Sequence, residues 1–152
     1  MDIAEKKRLL SLGLKLEDKF ILLIKELLED TPIKIVKTSN KFCCIDFILS
    51  NGNKEMGIEL KSRQRNLSID DDFFISISKL YSIKNEYNHI KTLLVWSDKC
   101  KNVYFTKYND ELLKSQQSYI NYGNVFRIKK DVCSYGLEQL IDTIKSTLLE
   151  QD

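Results

Sequence analysis

The chain has one histidine, His89, one proline, Pro32, and five glycines in 152 residues. With a single histidine, a Ser/His/Asp arrangement would have to use His89, which falls between a helical and a strand segment, and is not expected. None of the four cysteines, Cys43, Cys44, Cys100 and Cys133, stands in a CxxC pair, so a structural zinc site is not expected either. Four thiols in a chain this long do not make a disulfide framework and are read as buried. No glycine-rich phosphate loop of the Walker or dinucleotide type occurs. The longest apolar run, Phe20 to Ile24, is far too short to span a bilayer. The opening MDIAEKKRLL lacks the apolar stretch of a secretory signal. These absences lead to the expectation of a soluble intracellular protein without membrane contact.

A hydrophobic content of 43% and a charged content of 30% suit one globular domain over residues 1–152. The net charge of +2 neither requires nor excludes nucleic acid, because a local basic stripe matters more than the sum. Leu16, Phe20, Leu23, Ile24, Leu27 and Leu28 recur at helical spacing, and Asp30, Thr31 and Pro32 close that helix. Residues 33–38 and 42–49 read as strands. Asn51-Gly52 then signals a hairpin turn, and 55–62 is the return strand. After a polar loop, Phe73, Phe74, Ile77, Leu80 and Tyr81 mark a second helix ending near Asn88, with Asp70 to Asp72 at its N-terminus. Residues 90–97 and 102–108 read as strands, 110–120 as a short helix, 124–130 as an edge strand and 136–150 as an amphipathic helix. The expected fold is mixed α/β: helix, three strands, helix, strand, over about residues 13–105. Residues 106–152 receive no role.

Three charges interrupt the apolar hairpin "CIDFILSNGNKEMGIELKS": Asp46, Glu59 and Lys61. Charges among buried neighbours cost free energy unless they are paired or bind something. Glu59 and Lys61 share a strand face with Gly57. A two-residue turn at Asn51-Gly52 pairs Ser50 with Asn53 and sets Asp46 opposite Gly57, diagonal to Glu59. A four-residue turn sets Asp46 directly opposite Glu59; an odd turn separates their faces. Gly57 leaves room beside Asp46. Two carboxylates on one face suit a hard divalent cation, Mg²⁺ or Mn²⁺, held with water. A neighbouring ammonium such as Lys61 could orient or deprotonate water, or offset charge on a phosphate. A surface ion-pair ladder is the plainer account of the same pattern.

Asp46, followed thirteen positions later by Glu59-Leu60-Lys61, resembles the signature of the PD-(D/E)XK nuclease superfamily, and the element order resembles its core. The residue before Asp46 is Ile45 rather than the proline of the full signature. The resemblance implies a restriction-endonuclease-like fold, with a mixed central sheet flanked by helices. It makes Asp46 and Glu59 metal ligands, with the Leu60 carbonyl as a further one, and Lys61 the catalytic lysine. "GLKLE" supplies Gly13 and Glu17, similar to the first-helix glutamate of resolvase-like members, which would join the metal site. Lys79, or failing it Lys84, is similar to their second-helix lysine. The resemblance is strongest to small Holliday-junction resolvases. It implies a metal-dependent endonuclease acting on DNA, of resolvase or repair type, and a possible homodimer. A binding module on the same fold is the alternative.

Arg63 and Arg65 follow the signature, and Lys34, Lys37 and Lys41 form a basic stripe; both suit contacts to a nucleic-acid backbone. Trp96 and Tyr81 are expected in the core.

Overall fold

A computed structural model describes residues 2–38, 45–63, 66–69, 72–99, 101–120 and 123–150, with the side chains of residues 6 and 9–14 set aside. The first helix, α1, spans Ile3–Leu27. It begins well before the apolar periodicity because Asp2 caps it, its carboxylate accepting the Glu5 N–H at 2.7 Å. Phe20, Ile21, Ile24 and Leu28 are its buried stripe. The chain then forms β1 (Lys34–Lys37), β2 (Phe47–Ser50) and β3 (Glu55–Arg63).

The β2–β3 register is Ser50↔Glu55 and Phe47↔Ile58, so the turn has four residues rather than two. Asn51 explains the difference. Its Oδ1 accepts the N–H groups of Asn53 and Lys54 at 2.8 and 2.7 Å, its amide donates to the Leu148 carbonyl, and its own N–H donates to the Lys54 carbonyl. This side-chain-closed turn stabilises the longer loop.

Residues 72–76 depart from the helix expected there: they form β4 (Asp72–Ser76), and α2 starts only at Ile77, running to Glu86. The apolar spacing of Phe73, Phe74 and Ile77 fits a helix, but pairing with a distant strand prevails. Asp72 is accordingly not a helix-start charge. It forms an ion pair with Arg127 at 2.9 Å. Asp70 and Asp71 lie outside the described residues.

The strands β5 (Lys91–Asp98) and β6 (Val103–Lys107) follow as expected. Residues 110–120 are not one helix: a 3₁₀ turn over Asp110–Lys114 is followed by β7 (Gln116–Ile120). The expected edge strand, β8 (Gly123–Lys129), is central in its sheet because β7 covers one side and β4 the other. A two-residue strand, β9 (Ser134–Tyr135), and α3 (Leu137–Leu149) close the chain.

The main sheet has the order β1-β2-β3-β5-β6-β9, and β3–β5 is its one parallel pair. A second sheet has the order β4-β8-β7. Met56, Ile58 and Leu60 of β3 meet α1 and α3 through Ile24, Leu28, Leu140 and Ile144. The other face meets α2 and the second sheet through Leu94, Trp96, Phe73, Leu80 and Phe126. A strand covered on both faces should be apolar throughout, so the charges of β3 stand out. Trp96 is buried as expected, whereas Tyr81 is 42% exposed and only borders the Phe126 ring at 6.2 Å. Of the cysteines expected to be buried, Cys133 is partly buried; Cys43, Cys44 and Cys100 lie outside the described residues. No helix among the described residues is long and apolar enough to cross a membrane.

Candidate active site

Ile45 is fully buried over Gly57. A Cβ on Gly57 would lie 2.9 and 3.0 Å from the Ile45 side chain and 3.3 Å from Thr92 Oγ1. The space left by Gly57 is thus used by Ile45, which brings the chain down onto the sheet beside Asp46. Phe47 pairs with Ile58, yet the Asp46 N–H also donates to the Ile58 carbonyl, at 2.9 Å. Two residues therefore face one, a β-bulge of the kind that re-aims a side chain. The Asp46 carboxylate accepts the Leu60 N–H at 2.9 Å. A strand residue's N–H and carbonyl leave on the same side, so the Leu60 carbonyl also points toward Asp46.

Glu59 is 1% exposed. Its Oε1 meets two ammonium groups, Lys79 Nζ at 2.8 Å and Lys61 Nζ at 3.2 Å. Its Oε2 is buried and has no hydrogen-bond partner among the described residues. Burial pushes the Glu59 carboxyl from its ordinary 4.5 up to about 7; Lys61 and Lys79 oppose the rise and Asp46 adds to it. Glu17 is brought to the same site from the middle of α1 and is partly buried. Burial and then the Asp46 charge raise it to about 7, against the attraction of Lys61, Lys79 and Lys37. Burial also lowers Lys61 below the usual lysine range, with Lys79 adding to the drop and Glu59 resisting it. Burial works against the Lys79 cation too, but the Glu59 charge and hydrogen bond outweigh it and hold Lys79 above its ordinary value.

The expected residues Glu17, Asp46, Glu59, Lys61 and Lys79 therefore form one electrostatically linked group. Its donors are oxygens, one of them buried and unpaired, and that set fits Mg²⁺ or Mn²⁺. Among the described residues no three His, Cys, Asp or Glu side chains are gathered closely enough to hold a metal ion by themselves. Mg²⁺ takes few protein ligands and keeps several waters.

Arg63 is exposed at the end of β3, and Lys34 and Lys37 are exposed on β1. Lys37 lies 3.5 Å from Asp18. Arg65 and Lys41 lie outside the described residues. Asp98, which carries no role in the sequence pattern, anchors the loop after β3. Its carboxylate accepts the Leu67 N–H at 2.6 Å, the Asn102 N–H at 2.8 Å and the Asn102 amide at 2.9 Å. It pins the segment that follows Arg63. The available signal was an aspartate four residues before an asparagine in a short turn between strands.

No protein-family model matches the chain, and no curated protein matches it. Among solved structures it is similar to Archaeoglobus fulgidus Hjc, a Holliday junction resolvase from an archaeal hyperthermophile. The TM-score is 0.52 and the identity 13%, over 91% of this chain and 98% of that one. At this identity the likeness speaks for the fold. The chain has the restriction-endonuclease-like architecture that its resemblance to PD-(D/E)XK nucleases implies, with β4 inserted between the third strand and the second helix.

Proposed function

We propose that the chain is a single nuclease-like domain over residues 1–152 that hydrolyses DNA phosphodiester bonds with a divalent cation. The observation that carries this reading is the buried Glu59. It is gripped on one oxygen by Lys61 and Lys79, unpartnered among the described residues on the other, and feels the charge of Asp46, which also acts on Glu17. A plain ion-pair ladder has no use for an orphaned carboxylate oxygen, which costs free energy where it lies.

Asp46, Glu59 and the Leu60 carbonyl would hold Mg²⁺ or Mn²⁺, with Glu17 reaching it through a bound water. When bound, the cation supplies Lewis-acid charge and acidifies water. Lys61 and Lys79 share one carboxylate yet are pushed in opposite directions. Opposed shifts of neighbouring groups mark acid–base assignments. Lys61, the more easily deprotonated, takes the proton from the attacking water at Nζ. Lys79 keeps its proton and places a fixed positive charge near the phosphate oxygens. Arg63, with Arg65, Lys37 and Lys41, grips flanking phosphates. The fold likeness to a junction resolvase supports branched DNA as the first substrate to try, with two copies of the chain cutting paired strands.

The test is incubation with branched, single-stranded and duplex DNA in Mg²⁺ or Mn²⁺. Metal-dependent cleavage of at least one substrate is expected. Binding without cleavage of any of them would instead support a binding module.

A further inference from the structure

One row of cross-strand partners crosses the main sheet: Lys61, Trp96, Tyr104, Tyr135. Residues directly opposite share a face, so Tyr135 lies on the face of the candidate site. It is three strand spacings from Lys61, roughly 14 Å at about 4.8 Å each. Trp96 and Tyr104 are buried, whereas Tyr135 is 55% exposed. Its ring is nevertheless fixed. It packs on Tyr104 at 4.8 Å between centroids, and its hydroxyl donates to Asn102 Oδ1 at 2.9 Å. An exposed ring that is already immobilised loses little freedom when something stacks on it.

Positive charge runs from the site to this ring. The Lys99 N–H donates to the Arg63 carbonyl at 3.1 Å, joining the β5–β6 turn to the end of β3. Lys99 and Lys101 are exposed. Lys130 Nζ lies 5.0 Å from the Tyr104 ring centroid and donates to the Ser68 carbonyl at 2.6 Å. Described acids beside these lysines include Asp98, whose carboxylate is taken up by Leu67 and Asn102, Asp72, opposite Lys129 and ion-paired with Arg127, and the exposed Asp131. Lys101 has φ 67°, the one positive-φ residue other than glycine among the described residues. Glycine or asparagine adopts that conformation at lower cost.

We infer that this edge is a second nucleic-acid contact, at which Tyr135 stacks one unpaired base while Lys99, Lys101 and Lys130 hold the adjoining phosphates. The inference rests on the nuclease reading and narrows its substrate to DNA with unpaired nucleotides near the scissile phosphate. The roughly 14 Å separation corresponds to about four base steps at about 3.4 Å each. Aromatic platforms flanked by basic groups bind single strands in this way.

The test is equilibrium binding in EDTA, where nothing is cut, to a duplex with a short single-stranded gap carrying 2-aminopurine. Tyr135→Leu keeps an apolar cover on Tyr104 but cannot stack; Tyr135→Phe keeps the ring. Lys101→Gly relieves the positive φ, so its thermal midpoint should not fall. Tyr135→Leu is expected to weaken binding about fivefold or more and to abolish the fluorescence quench, while Tyr135→Phe stays within about twofold. Lys101→Gly is expected to reduce the slope of log affinity against log salt by about 0.7–0.9. Unchanged affinity and quench in Tyr135→Leu, or an unchanged slope in Lys101→Gly, overturns the inference. If the intact protein cuts DNA while these variants bind like it, the nuclease reading stands and the second contact falls. If the losses appear but no DNA is ever cut, the contact stands and the nuclease reading falls.

Discussion

Replacing Glu59 by glutamine should make the metal-free protein more stable while destroying its activity. The folded Glu59 carboxyl keeps its proton up to about pH 7, whereas the unfolded chain releases it near 4.5. Between those values the native state binds more protons, so this group's contribution to stability falls as pH rises from 4.5 to 7. The attraction of Lys61 and Lys79 is already included in that displacement. At about 1.4 kcal/mol for each tenfold change, ionised Glu59 costs the fold about 3 kcal/mol above pH 7. Glutamine has nearly the same shape and no proton to lose. In EDTA, urea unfolding should therefore show Glu59→Gln equal to the parent at pH 4 and more stable by up to about 3 kcal/mol at pH 8. The thermal midpoint at pH 8 should rise by roughly 6 °C or more. Stability bought by removing a functional charge is a familiar exchange at active sites. A variant equal to or weaker than its parent at pH 8 would refute the claim that Glu59 is held against its own burial.

The same carboxylates set the pH dependence of metal binding. With Glu17 and Glu59 both raised to about 7, each contributes about a tenfold gain between pH 6 and pH 8, so Mn²⁺ affinity measured by calorimetry should increase about a hundredfold; a flat profile contradicts this. Gly57→Ala drives a Cβ to 2.9 Å from Ile45. It should cost about 1–3 kcal/mol in urea unfolding and lower cleavage, since Asp46 follows Ile45; unaltered stability contradicts this. Asp98→Ala leaves the N–H groups of Leu67 and Asn102 without an acceptor. It should cost about 1–3 kcal/mol and expose the segment after Arg63 to limited proteolysis, and an unchanged digestion pattern contradicts it.

The site was more legible in the sequence than the fold around it. Asp46, Glu59 and Lys61 break apolar runs at strand spacing, and that local signal survives whichever even turn is chosen. The turn length was hidden because Asn51 closes a four-residue loop with its own side chain. Lys79 is named only because the resemblance implies a second-helix lysine; α2 then sets its Nζ 2.8 Å from Glu59. Glu17 falls in the middle of α1 because the Asp2 cap begins the helix in a polar stretch where periodicity is weak. The second sheet was invisible for a different reason. Phe73 and Phe74 fit a helix locally, and only pairing with β8, some fifty residues away in sequence, makes them a strand. With a helix expected over 110–120, the sequence pattern offers β8 no strand neighbour on that side and makes it look like an edge.

The central claim is that Lys61 and the carboxylates beside it cut DNA. The most direct measurement compares cleavage of labelled branched, gapped, single-stranded and duplex DNA in Mg²⁺ or Mn²⁺ by the intact protein, Asp46→Ala and Lys61→Ala, each shown folded by circular dichroism. Cleavage by the intact protein alone is predicted; equal cleavage by either variant, or none by the intact protein, contradicts it.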